Sequence, residues 1–283
     1  MATMLRSVRR ALGDVPAAQF AYRCVVDGRL RAERWALAAR TSTAGPKRAR
    51  ILAYHSIGTP EWEVNDVSPR HFESHLQMAV DDGWTFATPA QVLARPEEQL
   101  LALTFDDGCT SVLDHAAPVL RHHGIPSTMF VVTGWADGGH EEGYDHVLDW
   151  HGLVALQDQG MTLASHSVTH RDFGKLRPDE ARRELEVSRE RMVRMLDVDT
   201  DEFAIPFGQS KNWTDAATLE AKRAGYSTVY AQSVETRPAG TVPRTFITAI
   251  DRPPIFRAAL AGAYDRWEEW YLSGPVDEEP PTP

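Results

Sequence analysis

Gln99-Leu100-Leu101-Ala102-Leu103-Thr104-Phe105-Asp106-Asp107-Gly108 carries an apolar run into two adjacent carboxylates and a glycine. The run has the length and composition of a buried strand, and the Asp-Asp-Gly marks its C-terminal end. Adjacent carboxylates at a strand end repel and lose part of their hydration. They are tolerated where a cation lies between them, or where one of them carries a proton. Some 58 residues further on, Ser165-His166-Ser167-Val168-Thr169-His170 places two imidazoles four residues apart on one face of a turn. That spacing suits a metal site. One carboxylate, two histidines and a spare carboxylate are the parts of a metal-dependent hydrolase.

Outward from these two segments, short apolar strands alternate with helical stretches. Strands are expected at 50–55, 100–105, 127–132, 161–165, 202–205, 227–231 and 244–248, and helices at 69–82, 112–123, 147–159, 178–196 and 215–224. Gly83, Gly124, Gly160 and Gly225 each stand just past a helical run, where a C-terminal stop belongs. Repeated βα units imply a parallel sheet covered by helices, and the pattern alone fits an open sheet and a closed barrel equally. In either, chemistry belongs at the C-terminal strand ends, where Asp106, Asp107, His166 and His170 all fall.

Thr104-Phe105-Asp106-Asp107-Gly108 and His166-Ser167-Val168-Thr169-His170 resemble the first two motifs of the polysaccharide deacetylases, the family of the NodB homology domain. Phe203-Ala204-Ile205-Pro206-Phe207-Gly208 resembles a variant of the third motif. Ile51-Leu52-Ala53-Tyr54-His55-Ser56-Ile57 and Val67-Ser68-Pro69-Arg70-His71-Phe72-Glu73 resemble the first strand and following helix of the branch that includes the poly-N-acetylglucosamine deacetylases. The resemblance covers roughly residues 50–260. It implies an α/β fold, a distorted (β/α) barrel of about seven strands. It also implies a substrate, an N-acetylated amino sugar that loses its acetyl group.

The resemblance assigns roles residue by residue. Asp107, His166 and His170 become ligands of one divalent metal. Zinc is the first choice, and Co(II), Ni(II) or Fe(II) suit the same donors. Asp106 becomes the general base. The family's usual acid, a histidine late in the chain, has no counterpart, because no histidine follows His170. His55 matches the acid of the branch whose barrel begins with this strand. Ala204 stands where the third motif usually has an arginine that orients the base, and Arg244 is the candidate replacement. Pro206, Phe207 and Gly208 are expected at the substrate, with a backbone N–H near Phe207-Gly208 facing the developing oxyanion. Trp135, in a Gly-rich loop, is a candidate platform for a sugar ring, as are Trp62 and Trp213. Cys109 reads as a small packing residue, and His115, His122 and His123 have no expected chemical role.

Composition limits the alternatives. The 283-residue chain is 42% apolar, enough for one sizeable core, and its net charge of −10 argues against nucleic acid as a partner. Residues 1–50 hold 11 Lys and Arg against 3 Asp and Glu, a net of +8. Residues 51–283 carry the remaining −18. A basic arm on an acidic body suits a membrane surface or an acidic partner, or simply a helix lying on its own domain. The expected organisation is a basic helical extension (1–48), the catalytic domain (49–262), and a C-terminal helix end with an acidic, Pro-rich tail (263–283). Cys24 and Cys109 make no disulfide framework, and no secretory signal or membrane-spanning run is found. A cytoplasmic protein follows, with peripheral membrane contact through the arm as an option. Two rival functions stay open: an amidase for a cyclic imide, ureide or small N-acyl metabolite, and a glycan-binding scaffold without turnover.

Overall fold

The computed structural model describes residues 16–44, 47–139, 146–233, 237–265 and 267, with side chains from Gly28 onward. Residues 1–15 of the expected arm and the Pro-rich tail lie outside this set. Helix α1 (Pro16–Arg40) leads to β1 (Arg50–Tyr54) and α2 (Pro69–Asp81). A short second unit, β2 (Thr85–Phe86) and α3 (Pro89–Ala94), precedes β3 (Leu100–Phe105) and α4 (Ala117–His122). Then come β4 (Ser127–Val131), α5 (Trp150–Asp158), β5 (Thr162–Ser165), α6 (Pro178–Leu196), β6 (Glu202–Ala204), α7 (Asp215–Arg223), β7 (Thr228–Gln232), β8 (Val242–Phe246) and α8 (Pro253–Leu260).

All pairings among these strands are parallel. β1, β8, β7, β6, β5, β4 and β3 follow one another, and the β1–β3 ladder closes the ring. The result is a barrel of seven strands, with β2 paired only to the start of β3. The alternation of side chains explains the closure. Ile51, Ala102, Phe130, Ala164, Ala204 and Tyr230 form one buried cluster that fills the barrel. Their neighbours Leu52, Tyr54, Leu101, Leu103, Phe105, Met129 and Leu163 face outward into the larger core under the helices. A strand buried on both faces must be apolar throughout, and β3 is buried at all six residues.

The expected strands form within two residues of their anticipated ends. Gly83, Gly124, Gly160 and Gly225 adopt the left-handed conformation of helix stops, with φ of 81°, 61°, 92° and 91°. The expected helix at 112–123 instead opens with a π-helical turn, Val112–Ala116, before α4. Pro118, in the first turn of α4, has no N–H to give a regular helix. The unit β2–α3 and helix α8 were not anticipated. Thr88, a cap for α3 in a capping box with Gln91, is the signal that marks the former.

Helix α1 is part of the body from Leu30 onward. Leu30 and Arg34 are fully buried. Arg34 Nε donates to Asp251 Oδ1 at 2.6 Å, Nη2 bonds Asp251 Oδ2, and Nη2 reaches the carbonyl of Phe246 at 3.2 Å. Its guanidinium lies 3.9 Å from the ring centre of Tyr264 and 5.0 Å from that of Trp267. Tyr264 and Trp267, expected at a C-terminal helix end past the catalytic domain, are buried: they cover a cation that has left water. Among the described residues no helix is long and apolar enough to cross a membrane.

His75 on α2 joins the same network. Its Nε2–H donates to the Asp251 carbonyl and its Nδ1 accepts from Tyr54 Oη, while the ring stacks on Phe256 at 4.0 Å. Burial lowers its pKa to about 4.

Two outcomes follow. Arg34→Met leaves the Asp251 carboxylate buried without its cation and is expected to lower unfolding free energy by about 3–5 kcal/mol in urea titrations. His75 binds its proton in the unfolded chain near pH 6.5 but in the folded protein only near pH 4. Stability should therefore fall as pH drops through that window, by on the order of 3 kcal/mol. In His75→Gln the loss between pH 6.5 and 4 should shrink.

Candidate active site

The barrel mouth gathers the chemistry-bearing residues because each ends a strand. The N–H of Asp106 donates to the Tyr54 carbonyl at 2.9 Å and carries the β1–β3 ladder one residue past β3. Asp107 then turns at φ 72° and Gly108 at φ 78°, which redirects the chain toward the outer helices. Aspartate tolerates the left-handed region better than most residues. Ser167 (φ 73°), His170 (φ 56°) and Phe207 (φ 64°) have the same unusual backbone, all at this one end of the barrel. Such conformations persist only where surrounding contacts enforce them.

Arg244 rises from β8 inside the barrel. Nη1 donates to Asp106 Oδ1 at 2.6 Å and Nη2 to Oδ2 at 2.8 Å, a bidentate pair with both side chains buried. Nη1 also reaches Thr104 Oγ1 at 3.2 Å, and that hydroxyl donates to the Leu52 carbonyl at 2.8 Å. The guanidinium lies 5.0 Å from the ring centre of Phe130. Ala53, Ala102, Ala164 and Ala204 are buried on the inner strands and leave room for it. Burial pushes the Asp106 carboxyl up, but Arg244 and then His166 outweigh it and hold the group below the usual carboxylate range.

Asp107, His166 and His170 converge beside this pair, with one donor atom from each within 4.8 Å of the others. Asp107 Oδ1 lies 3.5 Å from His166 Nε2 and 3.4 Å from His170 Nε2. It is buried and has no hydrogen-bond partner among the described residues. His166 Nδ1 donates to the Ala204 carbonyl at 2.8 Å, so in the neutral ring the lone pair is on Nε2, facing Asp107. Burial works to lower the His166 pKa, but Asp106 and Asp107 outweigh it and raise it, so the carboxylates draw positive charge into the site. A carboxylate oxygen and imidazole lone pairs repel at this range unless a proton or a cation stands between them. The donor set therefore fits a divalent metal. Burial drives the His170 pKa down to about 4, so its ring is neutral at pH 7, as a ligand must be.

A cleft of about 510 Å³ opens over these groups. His55, just past β1, lines it with Nε2 3.9 Å from Asp107 Oδ2, and its ring meets Phe246 edge-on at 5.3 Å. Phe207 and Gly208 line it too; Phe207 is 47% exposed and stands 4.7 Å from the ring centre of His170. Pro206 is buried and Trp135 is only 4% exposed, and neither lines the cleft. Trp135 packs 5.3 Å from His170, drawn beneath the histidine loop by bonds from Thr133 and Gly134 to the Ser167 and Val168 carbonyls. Its buried ring is thus a support, not a platform. Trp213 lies in the core against Phe173 and Phe203, whereas Trp62 reaches the cleft wall. Burial, with Asp107 and Asp106 nearby, raises the Cys109 thiol well above its ordinary range and keeps it protonated.

Asn65, Gln209, Asn212 and Gln232 also line the cleft, and reading the sequence did not find them. Asn65, Gln209 and Asn212 lie outside the strands and long helices, where no period marks them, and Gln232 is the last residue of β7. Thr104, two residues before Asp106, was read as part of the motif and given no role of its own, because a threonine in a strand reads as packing.

The sequence pattern of the polysaccharide deacetylase family matches residues 94–229. The Bacillus subtilis protein YxkH is 26% identical over 231 residues, which cover 78% of this chain and 77% of YxkH. IcaB from Ammonifex degensii is similar in structure, with a TM-score of 0.63 and 25% identity over 76% of this chain and 97% of its own. The Streptococcus pyogenes deacetylase PplD, solved in complex with acetate, gives a TM-score of 0.61 and 24% identity over 72% of this chain and 94% of its own. The matched stretch takes in the Asp106-Asp107 pair and both histidines of the His166–His170 loop, and together these likenesses support the polysaccharide deacetylase family, that of the NodB homology domain, for this chain.

Proposed function

We propose that this protein hydrolyses the acetamide of an N-acetylated amino sugar in a glycan or glycoside, releasing acetate and the free amine, with the help of a divalent metal. The family supports the reaction class. The observation that carries the metal is Asp107 Oδ1, a buried oxygen that has no hydrogen bond among the described residues and faces two imidazole nitrogens. Asp107, His166 and His170 would hold the ion, with zinc the first choice. When bound, it supplies a Lewis acid for the acetamide carbonyl and lowers the pKa of a water toward ~7.

The other roles belong to the chain. Asp106 takes the proton from the attacking water. It is ionised and fixed by Arg244, and each of its oxygens keeps a second lone pair for the task. Arg244 orients the base as the third-motif arginine would, from β8 in place of β6. As the C–N bond breaks, the amine leaves only with a proton, and His55 across the cleft donates it. Phe207 offers an exposed ring to the apolar face of the sugar, and a backbone N–H at Phe207-Gly208 faces the oxyanion.

Acetate release from N-acetylglucosamine oligomers by zinc-loaded protein tests the reading. Asp106→Asn and His55→Ala should each lower kcat by about 10²–10⁴-fold while zinc still binds. Turnover that survives in His55→Ala would remove the histidine from the acid's role. No acetate from any N-acetyl sugar, with zinc demonstrably bound, would remove the substrate class.

Arg244→Met should act on both rate and pH. Without the guanidinium, burial raises the Asp106 pKa, so the base stays protonated to higher pH. The acid limb of the kcat/KM profile is expected to move to higher pH than in wild type. An unmoved limb would show that Arg244 does not act on the base.

A further inference from the structure

In the loop that carries His166 and His170, four backbone N–H groups and two carbonyls are held by hydrogen bonds. The Ser167 carbonyl accepts from Thr133 N at 3.0 Å and from Ser188 Oγ at 3.1 Å. The Val168 carbonyl accepts from Gly134 N at 2.8 Å. A Cβ at Gly134 would lie 2.4 Å from that carbonyl, so only glycine permits the approach. His170 N donates to Ser167 Oγ at 3.0 Å. The remaining donors point the other way. Val168 N and Thr169 N both donate to Glu184 Oε2, at 3.0 and 2.9 Å, and Thr169 Oγ1 donates to Glu184 Oε1 at 2.6 Å.

Glu184 lies on α6 and is only 8% exposed. Among the described residues it forms no ion pair, so these three donors are what stabilises a carboxylate at that depth. Ser188, one turn further along α6, completes the grip through the Ser167 carbonyl. The loop needs such a grip. Ser167 and His170 hold positive φ without being glycine, a conformation that relaxes once its bonds are cut.

We propose that Glu184 is a positioning residue for the metal. From outside the barrel it locks the His166–His170 loop in the form that presents both imidazoles to Asp107, and so it sets the affinity for the ion. This rests on the reading of Asp107, His166 and His170 as ligands. Metal-site residues held by outer hydrogen bonds typically lose about 10–100-fold in metal affinity when those bonds are removed.

The test is zinc affinity of the full chain, measured by competition with a chromogenic chelator, together with thermal unfolding of the metal-free protein. Glu184→Ala should bind zinc about 10–100-fold more weakly while still unfolding cooperatively. Glu184→Gln should recover most of that affinity: its amide oxygen still accepts both N–H groups, and its NH₂ can donate to Thr169 Oγ1. Thr169→Val, which deletes one of the three bonds, should fall between wild type and Glu184→Ala, and it decides the matter if the alanine variant does not fold. A lower unfolding temperature with wild-type zinc affinity would make Glu184 a structural residue only and overturn the proposal. Wild-type protein that binds no zinc would overturn the metal reading along with it.

Discussion

The ion pair between Arg244 and Asp106 is the constraint on which the barrel interior depends. Both groups are buried, and neither could remain charged there alone. The guanidinium fills space that alanines on neighbouring strands leave open, and its Nη1 and Nη2 donate to Asp106 and Thr104. The usual third-motif position therefore needs nothing larger than Ala204, whose carbonyl is left to fix the tautomer of His166. On the proposed reading, the arginine that holds the base comes from β8, two strands around the ring from Ala204 on β6.

The mouth of the barrel shows a second form of the same economy. Asp107, Ser167, His170 and Phe207 all hold left-handed backbone, and each turns a strand end so that a side chain faces the cleft. The bonds that hold the turns at Ser167 and His170 come from elements behind the site: Thr133 and Gly134 after β4, and Glu184 and Ser188 on α6. Geometry at the mouth is thus set from outside the mouth.

Much of this was legible in the sequence, and the reasons differ by residue. The strands could be read because apolar runs ended in glycine or carboxylate, and the helix stops because glycine alone sits easily at positive φ. Asp106, Asp107, His166 and His170 stood out because adjacent charges and spaced imidazoles are costly without a purpose. Arg244 could be named only by elimination, after Ala204 failed to supply an arginine; its contact with Asp106 joins residues 138 apart in sequence. Trp135 misled because a tryptophan in a Gly-rich loop looks exposed, whereas here the glycine lets the backbone slide beneath the histidines. Glu184 was invisible, since one more glutamate on an amphipathic helix reads as a solvated face. Arg34 was hidden likewise among the charges of the N-terminal helix.

Ring closure has a consequence for the order of assembly. The three atoms that face one another at the candidate metal site come from a continuous stretch, residues 107 to 170, on β3, β5 and the turns that follow them. His55 and Arg244 come from the first and last strands, which meet only where β8 pairs with β1. A chain emerging from the ribosome would hold the proposed proton donor, the base and the ion's cradle before it reached Arg244, the residue that fixes the base. On the proposed reading, a correctly held base is thus tied to the final seam of the barrel, where β8 meets β1.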